Sequence, residues 1–308
     1  MRAIVTGGAG FIGSHVADAL AANGDEVIVV DDLSSGLREN VPSDARLVEL
    51  DVRDETLPEL FEEARPEVCF HLAAQASVTV SVERPGHDAG VNVLGTIRVL
   101  EAARRAGTQV VFSSTGGAIY GECEGPMAED SPRRPVSPYG VSKLAGEEYL
   151  ALHNRLYGAG HVALRYANVF GPRQDPHGEA GVVAIFFERL NAGEPCRIFG
   201  DGRQTRDYLF VDDAVGAMLA AAGCAGGVFN VGTGVETSVL ELYERCRRVA
   251  GSDAGPEQTP PRPGEVQRSV VDPSLAAAEL DWRPQTSLDD GLQATWESLV
   301  GMSQGQSL

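Results

Sequence analysis

Lysine is all but missing from this chain of 308 residues: among 25 lysines and arginines, only Lys143 is lysine. A G+C-rich genome produces that bias, with salt adaptation a weaker alternative. Cysteine is sparse as well. Cys69, Cys123, Cys196, Cys224 and Cys246 are scattered, odd in number and never form a CxxC, so neither a disulfide framework nor a zinc site is expected. Long apolar runs are absent. Nothing approaches the ~20 residues of a membrane span. The chain passes directly into Ala3-Ile4-Val5 without the basic-then-apolar pattern of a signal peptide. A reduced, cytoplasmic setting is the expectation. Positive charge is scarce against 44 acidic residues, and the net charge of -19 argues against nucleic acid and anionic membrane as partners. An anionic substrate would need a local arginine cluster to overcome that field.

What is present is a rhythm of strands and helices. At 43% hydrophobic, the chain can bury a sizeable core in one large or two modest domains. Residues 2–6, 26–30, 46–50, 68–71, 109–113 and 161–166 read as short buried strands. Between them 14–23, 56–64, 86–106 and 139–157 read as helices. Such alternation predicts an α/β fold, a doubly wound parallel sheet of the Rossmann type. After Tyr166 the rhythm breaks. Residues 168–181, rich in Gly, Pro and charge, read as loop. Residues 182–191 read as helix, 196–199 as strand, then 207–211, 212–222 and 227–231 as strand, helix and strand. Two amphipathic helices, 238–250 and 288–300, flank a Pro-rich connector at 256–263, and the tail from Gly301 is expected to fray.

Gly7-Gly8-Ala9-Gly10-Phe11-Ile12-Gly13 joins the first strand to the first helix. Glycines there let backbone N–H groups and a helix N-terminus approach a pyrophosphate. Asp31-Asp32 closes the next strand, where a carboxylate about 20 residues on can hold a ribose diol and repel a 2′-phosphate. Strand, loop, helix and carboxylate together favour NAD over NADP; Asp32 also reads as a solvated loop residue. Ligands of such sheets bind beyond the carboxyl ends of strands. Asp51, Ala73, Ala74, Ser113, Ser114 and Thr115 are candidates by that position, although a cap or turn explains each singly as well.

The lone lysine stands four residues after Tyr139, in Tyr139-Gly140-Val141-Ser142-Lys143. Ser137-Pro138 ahead of them reads as an N-cap followed by proline at the first helical position. Both side chains would then project from one face of a helix. A tyrosine acts as acid or base near neutral pH only if its pKa falls well below ~10, and a fixed ammonium favours the phenolate. A surface tyrosine and lysine at helical spacing is the plain alternative.

Gly7-x-x-Gly10-x-x-Gly13, Asp31, Asp51-Val52-Arg53-Asp54, Leu72-Ala73-Ala74-Gln75-Ala76, Ser113-Ser114-Thr115, Tyr139-x-x-x-Lys143, Tyr166-x-Asn168 and Arg206-Asp207-Tyr208 occur in that order. The set resembles the extended short-chain dehydrogenase/reductase family over nearly the whole chain, and within it the nucleotide-sugar 4-epimerases of the UDP-glucose type. The resemblance implies bound NAD, held by Gly7, Gly10, Phe11, Ile12, Gly13, Asp31, Asp32, Ser35, Gly36, Asp51, Val52, Leu72, Ala73, Ala74, Gln75, Asn92 and Ser113, with Tyr166 near the nicotinamide. It implies a UDP-sugar substrate held by Ser77, Asn168, Gln204, Arg206, Arg262 and Glu265. Two arginines facing a diphosphate suit its oxygens, though Arg262 on its own reads as a solvated loop charge. It implies catalysis by Tyr139, Lys143 and Thr115, inverting the sugar at C4 through a transient 4-keto form. It also implies an NAD-binding domain over 1–168, to which 205–232 returns, and a smaller C-terminal α/β substrate domain from 169–204 and 233–308. A homodimer would pair the helices over 86–106 and 139–157.

Two departures from the pattern matter. The turn 113–121 is one residue longer than in typical members, which leaves Ser114 as an alternative to Thr115. Relatives that expel water or carbon dioxide carry acids after that hydroxyl, where Gly116, Gly117 and Ala118 stand here; simple epimerisation is favoured. Ser269, four residues past Glu265, implies room for an N-acetyl group. A uronate 4-epimerase, a sugar 4,6-dehydratase and a non-catalytic NAD-binding sensor remain open.

Overall fold

Short aliphatic runs build the central layer of the computed structural model, which describes residues 1–177, 181–261 and 266–305, with side chains up to 301. The strands are β1 (Arg2–Thr6), β2 (Glu26–Asp31), β3 (Arg46–Glu49), β4 (Val68–His71), β5 (Gln109–Thr115), β6 (Val162–Tyr166), β7 (Asn168–Phe170), β8 (Arg197–Phe199), β9 (Thr205–Phe210), β10 (Gly227–Val231), β11 (Glu236–Ser238), β12 (Glu257–Thr259) and β13 (Arg268–Ser269). Seven of them form one parallel sheet in the order β10-β6-β5-β4-β1-β2-β3. The order reverses between β1 and β4, where neighbouring crossovers leave on opposite faces and open a crevice.

The helices are α1 (Phe11–Ala22), α2 (Leu57–Ala64), α3 (Val78–Glu83), α4 (Pro85–Ala89), α5 (Gly95–Ala106), α6 (Gly116–Ile119), α7 (Pro138–Tyr157), α8 (Val182–Asn191), α9 (Val211–Ala221), α10 (Val239–Val249), α11 (Ser274–Glu279) and α12 (Leu288–Gly305). Successive strand residues point to opposite faces. Val5, Val29 and Leu164 accordingly pack with Val16 and Leu20 of α1 and Met218 of α9. Ile4, Ile28 and Phe112 pack on the other face with Phe61 of α2 and Leu100 of α5. Both faces are covered, which is why the strands read as continuous apolar runs.

A third core gathers Phe170, Phe186, Phe187, Tyr208, Phe210, Tyr243 and Leu292 beneath the C-terminal helices. Beside it, β9 pairs with β7, β11 and β13, and β8 pairs with β12. Within 205–232, therefore, β10 lies in the main sheet and α9 packs on its face, while β9 belongs to the small sheet.

The structure corrects several boundaries. The expected loop 168–181 begins with β7. The expected frayed tail continues α12 to Gly305, since no proline follows to stop it. The expected helix over 86–106 is α4 and α5 joined by a π-helical turn, Gly90–Leu94. The strand expected to stop at Ser113 runs to Thr115.

Candidate active site

At the end of β1 the chain turns through Gly7, whose φ of +70° strains any residue with a side chain. Space is the harder limit. A Cβ on Gly7 would lie 2.6 Å from Ala73 N, and one on Gly13 only 2.1 Å from Gly7 O. The turn therefore admits α1 hard against the sheet. Gly10 is the N-cap of α1 and no side chain caps it, so the first N–H groups of Phe11, Ile12 and Gly13 face outward with the positive end of the helix. Asp31 closes this cradle, 7% exposed. Its carboxylate accepts from Ala9 N and Leu33 N, each at 2.9 Å. Burial pushes the Asp31 carboxyl up in spite of those bonds. Asp32 is exposed and turned to Ser34, so Asp31 is the acid that addresses the loop. Ser35 is exposed, and Gly36 is buried against Ala9 and Asp31. A cradle without side chains, an uncapped helix start and a strand-end carboxylate fit the pyrophosphate and ribose diol of NAD.

Further strand ends line the same edge. The Arg53 guanidinium holds the Asp51 carboxyl below the usual range, and Val52 is buried against Gly95. Leu72, Ala73 and Ala74 leave β4 half-buried. Gln75 N donates to Asn92 Oδ1 at 2.9 Å, and Asn92 Nδ2 returns a bond to Gln75 O at 2.8 Å. That pairing ties the strand end to the π-helical turn. Ser77 caps α3, accepting from Val80 N.

Ser137 and Pro138 start α7 as their types dictate, Ser137 Oγ accepting from Gly140 N at 3.2 Å. A Cβ on Gly140 would meet Ala118 O at 2.5 Å, so the helix start seats on the turn after β5. Lys143, 3% exposed, donates from Nζ to Ser113 O at 2.9 Å. The ammonium also stands 4.9 Å from the centre of the Phe112 ring and 5.9 Å from that of Tyr139. Burial pushes the Lys143 amine down to about 8 and the Tyr139 phenol well above its ordinary value; the buried carboxylate of Asp88 raises both. In the protein alone, desolvation of the phenolate is the largest influence on Tyr139.

The extra two residues of β5 separate the alternative hydroxyls. Ser114 Oγ points to the α7 side and donates to Glu147 Oε1 at 2.5 Å. Glu147 is itself locked to Arg165 through Nη2 at 2.7 Å and Nε at 2.9 Å, both residues almost wholly buried. Thr115 alternates to the opposite face and is half-buried. There a Cβ on Gly117 would meet Asn168 Oδ1 at 3.6 Å and both Thr115 Oγ1 and Ser269 Oγ at 3.9 Å, all ordinary contact distances. Arg206 lies in register with Ser269 across β9 and β13. Thr115, Asn168 and Ser269 thus gather at Gly117, with Arg206 the strand partner of Ser269.

Other expected residues stand elsewhere. Tyr166 points into the core, its hydroxyl donating to Ala214 O at 3.3 Å, so only its backbone lies at the strand edge. Gln204 is buried and donates to Phe199 O at 3.1 Å, bracing the turn between β8 and β9. Arg262 and Glu265 lie outside the described residues. Sequence reasoning passed over Asp88, which is fully buried and accepts from Ser142 Oγ at 2.5 Å. Its signal was available: Asp88 sits four residues before Asn92, on the same helical face.

Against known proteins, a family model described as the NAD dependent epimerase/dehydratase family matches residues 3–232. The chain is 50% identical over 313 residues to a UDP-glucose 4-epimerase of Mycolicibacterium smegmatis, covering 99% of this chain and 100% of that one. It is similar to a UDP-glucose 4-epimerase of Thermotoga maritima solved with UDP-glucose, at 48% identity and a TM-score of 0.96 over 98% of this chain and 100% of that one. A UDP-glucose 4-epimerase of Thermus thermophilus solved with NAD gives 46% identity and a TM-score of 0.93, over 98% and 99%.

Proposed function

The chain belongs to the NAD-dependent epimerase/dehydratase family, and on that premise we propose that it is a UDP-glucose 4-epimerase working through Tyr139, Thr115 and Lys143. The observation that carries the reading is the gathering of polar side chains at Gly117. Thr115, Asn168 and Ser269 face that glycine, and neither Gly116, Gly117 nor Ala118 offers an acid to expel water.

Bound NAD supplies a hydride acceptor that becomes a hydride donor, and a cationic ring beside the site. Gly7, Gly10, Gly13 and Asp31 would hold its pyrophosphate and ribose. Tyr139 takes the proton from the sugar 4-hydroxyl while Thr115 hydrogen-bonds the same oxygen. The C4 hydrogen would leave as hydride to the bound cofactor and return to the opposite face of C4 once the keto sugar has turned over beside Gly117, and Tyr139 gives its proton back to O4. Lys143, fixed by Ser113 O, holds positive charge near the phenolate. Moving a phenol from ~10 to about 7 requires roughly 4 kcal/mol of differential stabilisation, and here burial adds to the demand. Lys143 supplies part of it, and the cationic ring of bound NAD would supply the remainder.

The division of labour follows the sheets only in part: residues 1–168 with α9 and β10 hold NAD, and 169–204 with β9 and 233–308 hold the nucleotide sugar. The exposed Val141, Tyr149, Leu152 and Leu156 of α7 support a homodimer through that helix and α5. Five free cysteines support a reducing, cytoplasmic setting. Incubation with a panel of nucleotide sugars and no added NAD tests the function. Interconversion of UDP-glucose and UDP-galactose is expected, and the small Ser269 predicts turnover of the N-acetylated pair as well. A product lighter by one water would make the protein a dehydratase.

A further inference from the structure

We propose that Asp88 is a positioning residue that governs the charge state of Tyr139 and Lys143, an inference that rests on reading those two as the catalytic pair. Asp88 has no exposed surface. Its Oδ1 accepts from Gln75 Nε2 and Asn92 Nδ2, each at 2.9 Å, and its Oδ2 from Ser142 Oγ at 2.5 Å. All three donors are uncharged. They can satisfy a neutral side chain too, so they explain where the carboxylate sits but not why a charge is buried there.

The place of Ser142 in the chain explains the charge. It lies three residues after Tyr139 and one before Lys143, on the face of α7 that packs against α4. The carboxylate is anchored beside the one lysine and the one tyrosine of the candidate site. Few other charges reach them. His71 of β4 is held neutral by burial, its ring bonded to Thr6 and Thr96. Glu83 of α3 is exposed, Arg98 and Glu101 of α5 pair with Glu55 and Arg104, and Arg165 of β6 is spent on Glu147. β5 and α6 bring no titratable group.

An anion in this place favours the protonated form of both neighbours. It keeps Lys143 cationic where burial would neutralise it, and keeps Tyr139 a phenol until a second positive charge arrives. The base then forms only in the presence of oxidised cofactor. Removing the anion should move both groups the same way, toward lower pH.

The lone lysine makes the test direct. Protein grown with 13C-lysine gives one lysine side-chain resonance, which is titrated in the wild type, Asp88→Asn and Asp88→Ser. A fall in the Lys143 midpoint of about one unit or more is expected in both variants, and both limbs of the kcat/KM pH profile should shift to lower pH. An unmoved Lys143 midpoint in a folded variant overturns the proposal. Should neither variant fold, Ser142→Ala decides: it frees the carboxylate from its anchor beside Lys143 and must lower the Lys143 midpoint, and an unmoved midpoint overturns the proposal. A shifted Lys143 in a protein that turns over no nucleotide sugar would sustain the inference about Asp88 and discard the catalytic reading.

Discussion

Ser114 and Thr115 are adjacent hydroxyls with opposite duties, and the pleat of one strand decides which is which. Ser114 faces Glu147 and through it the buried Arg165; Thr115 faces Gly117. Ser114→Ala should therefore cost about 1–3 kcal/mol of stability, the usual cost of a buried polar group losing its partner, with kcat nearly intact. Thr115→Ala should leave the melting temperature alone and lower kcat by about 100-fold. The opposite pattern would exchange their roles. His71 carries a pH dependence of its own. Burial holds its pKa down to about 3 against the ordinary 6.5. The unfolded chain binds the extra proton between those values, so stability is complete above 6.5 and declines as pH falls toward 3. By pH 4 the wild type should lose about 3 kcal/mol relative to His71→Gln, read from denaturant midpoints at the two pH values.

Among the elements, the turn between β1 and α1 is the least forgiving. Gly13→Ala puts a methyl 2.1 Å from Gly7 O, so either α1 lifts from the sheet or the cradle closes. Retained NAD, measured in the supernatant of denatured protein, should fall to a small fraction of the wild-type stoichiometry; full retention would mean that the cradle holds no pyrophosphate. This turn and the six strands β1 to β6 could be read from the sequence because local pattern and final environment agree there. Elsewhere they conflict. Val78-Thr79-Val80-Ser81-Val82 alternates like a strand, yet Ser77 caps it into α3 against α7. Packing overrides the β-branched preference, and Val82 is left exposed. β7 spans three residues before Gly171-Pro172, too short to show a period. The pairing of β13 with β9 and of β12 with β8 joins segments about 60 residues apart, which no local signal reports. The site divides in the same way. Its glycines, Asp31, Tyr139 and Lys143 follow from spacing, whereas Gly117 facing Asn168 and Ser269 needed the third dimension.

The molecule as a whole leaves a large apolar face uncovered on α7. Val141 is 54% exposed and Leu156 61%, on a surface otherwise dominated by negative charge. Leu152→Glu with Leu156→Glu should convert a dimer to a monomer in sedimentation while leaving the NAD cradle filled; a wild type that sediments as a monomer removes that interface. The burial of Lys143 reaches beyond the site. Chemistry that reads surface lysines, such as acetylation, glycation or amine cross-linking, meets a folded molecule whose only ammonium side chain is hidden beneath Ser113. Such reagents are confined to the α-amino group. Acylation of Lys143 can then occur only when the floor of the site opens, so the rate at which it appears is a clock for that opening.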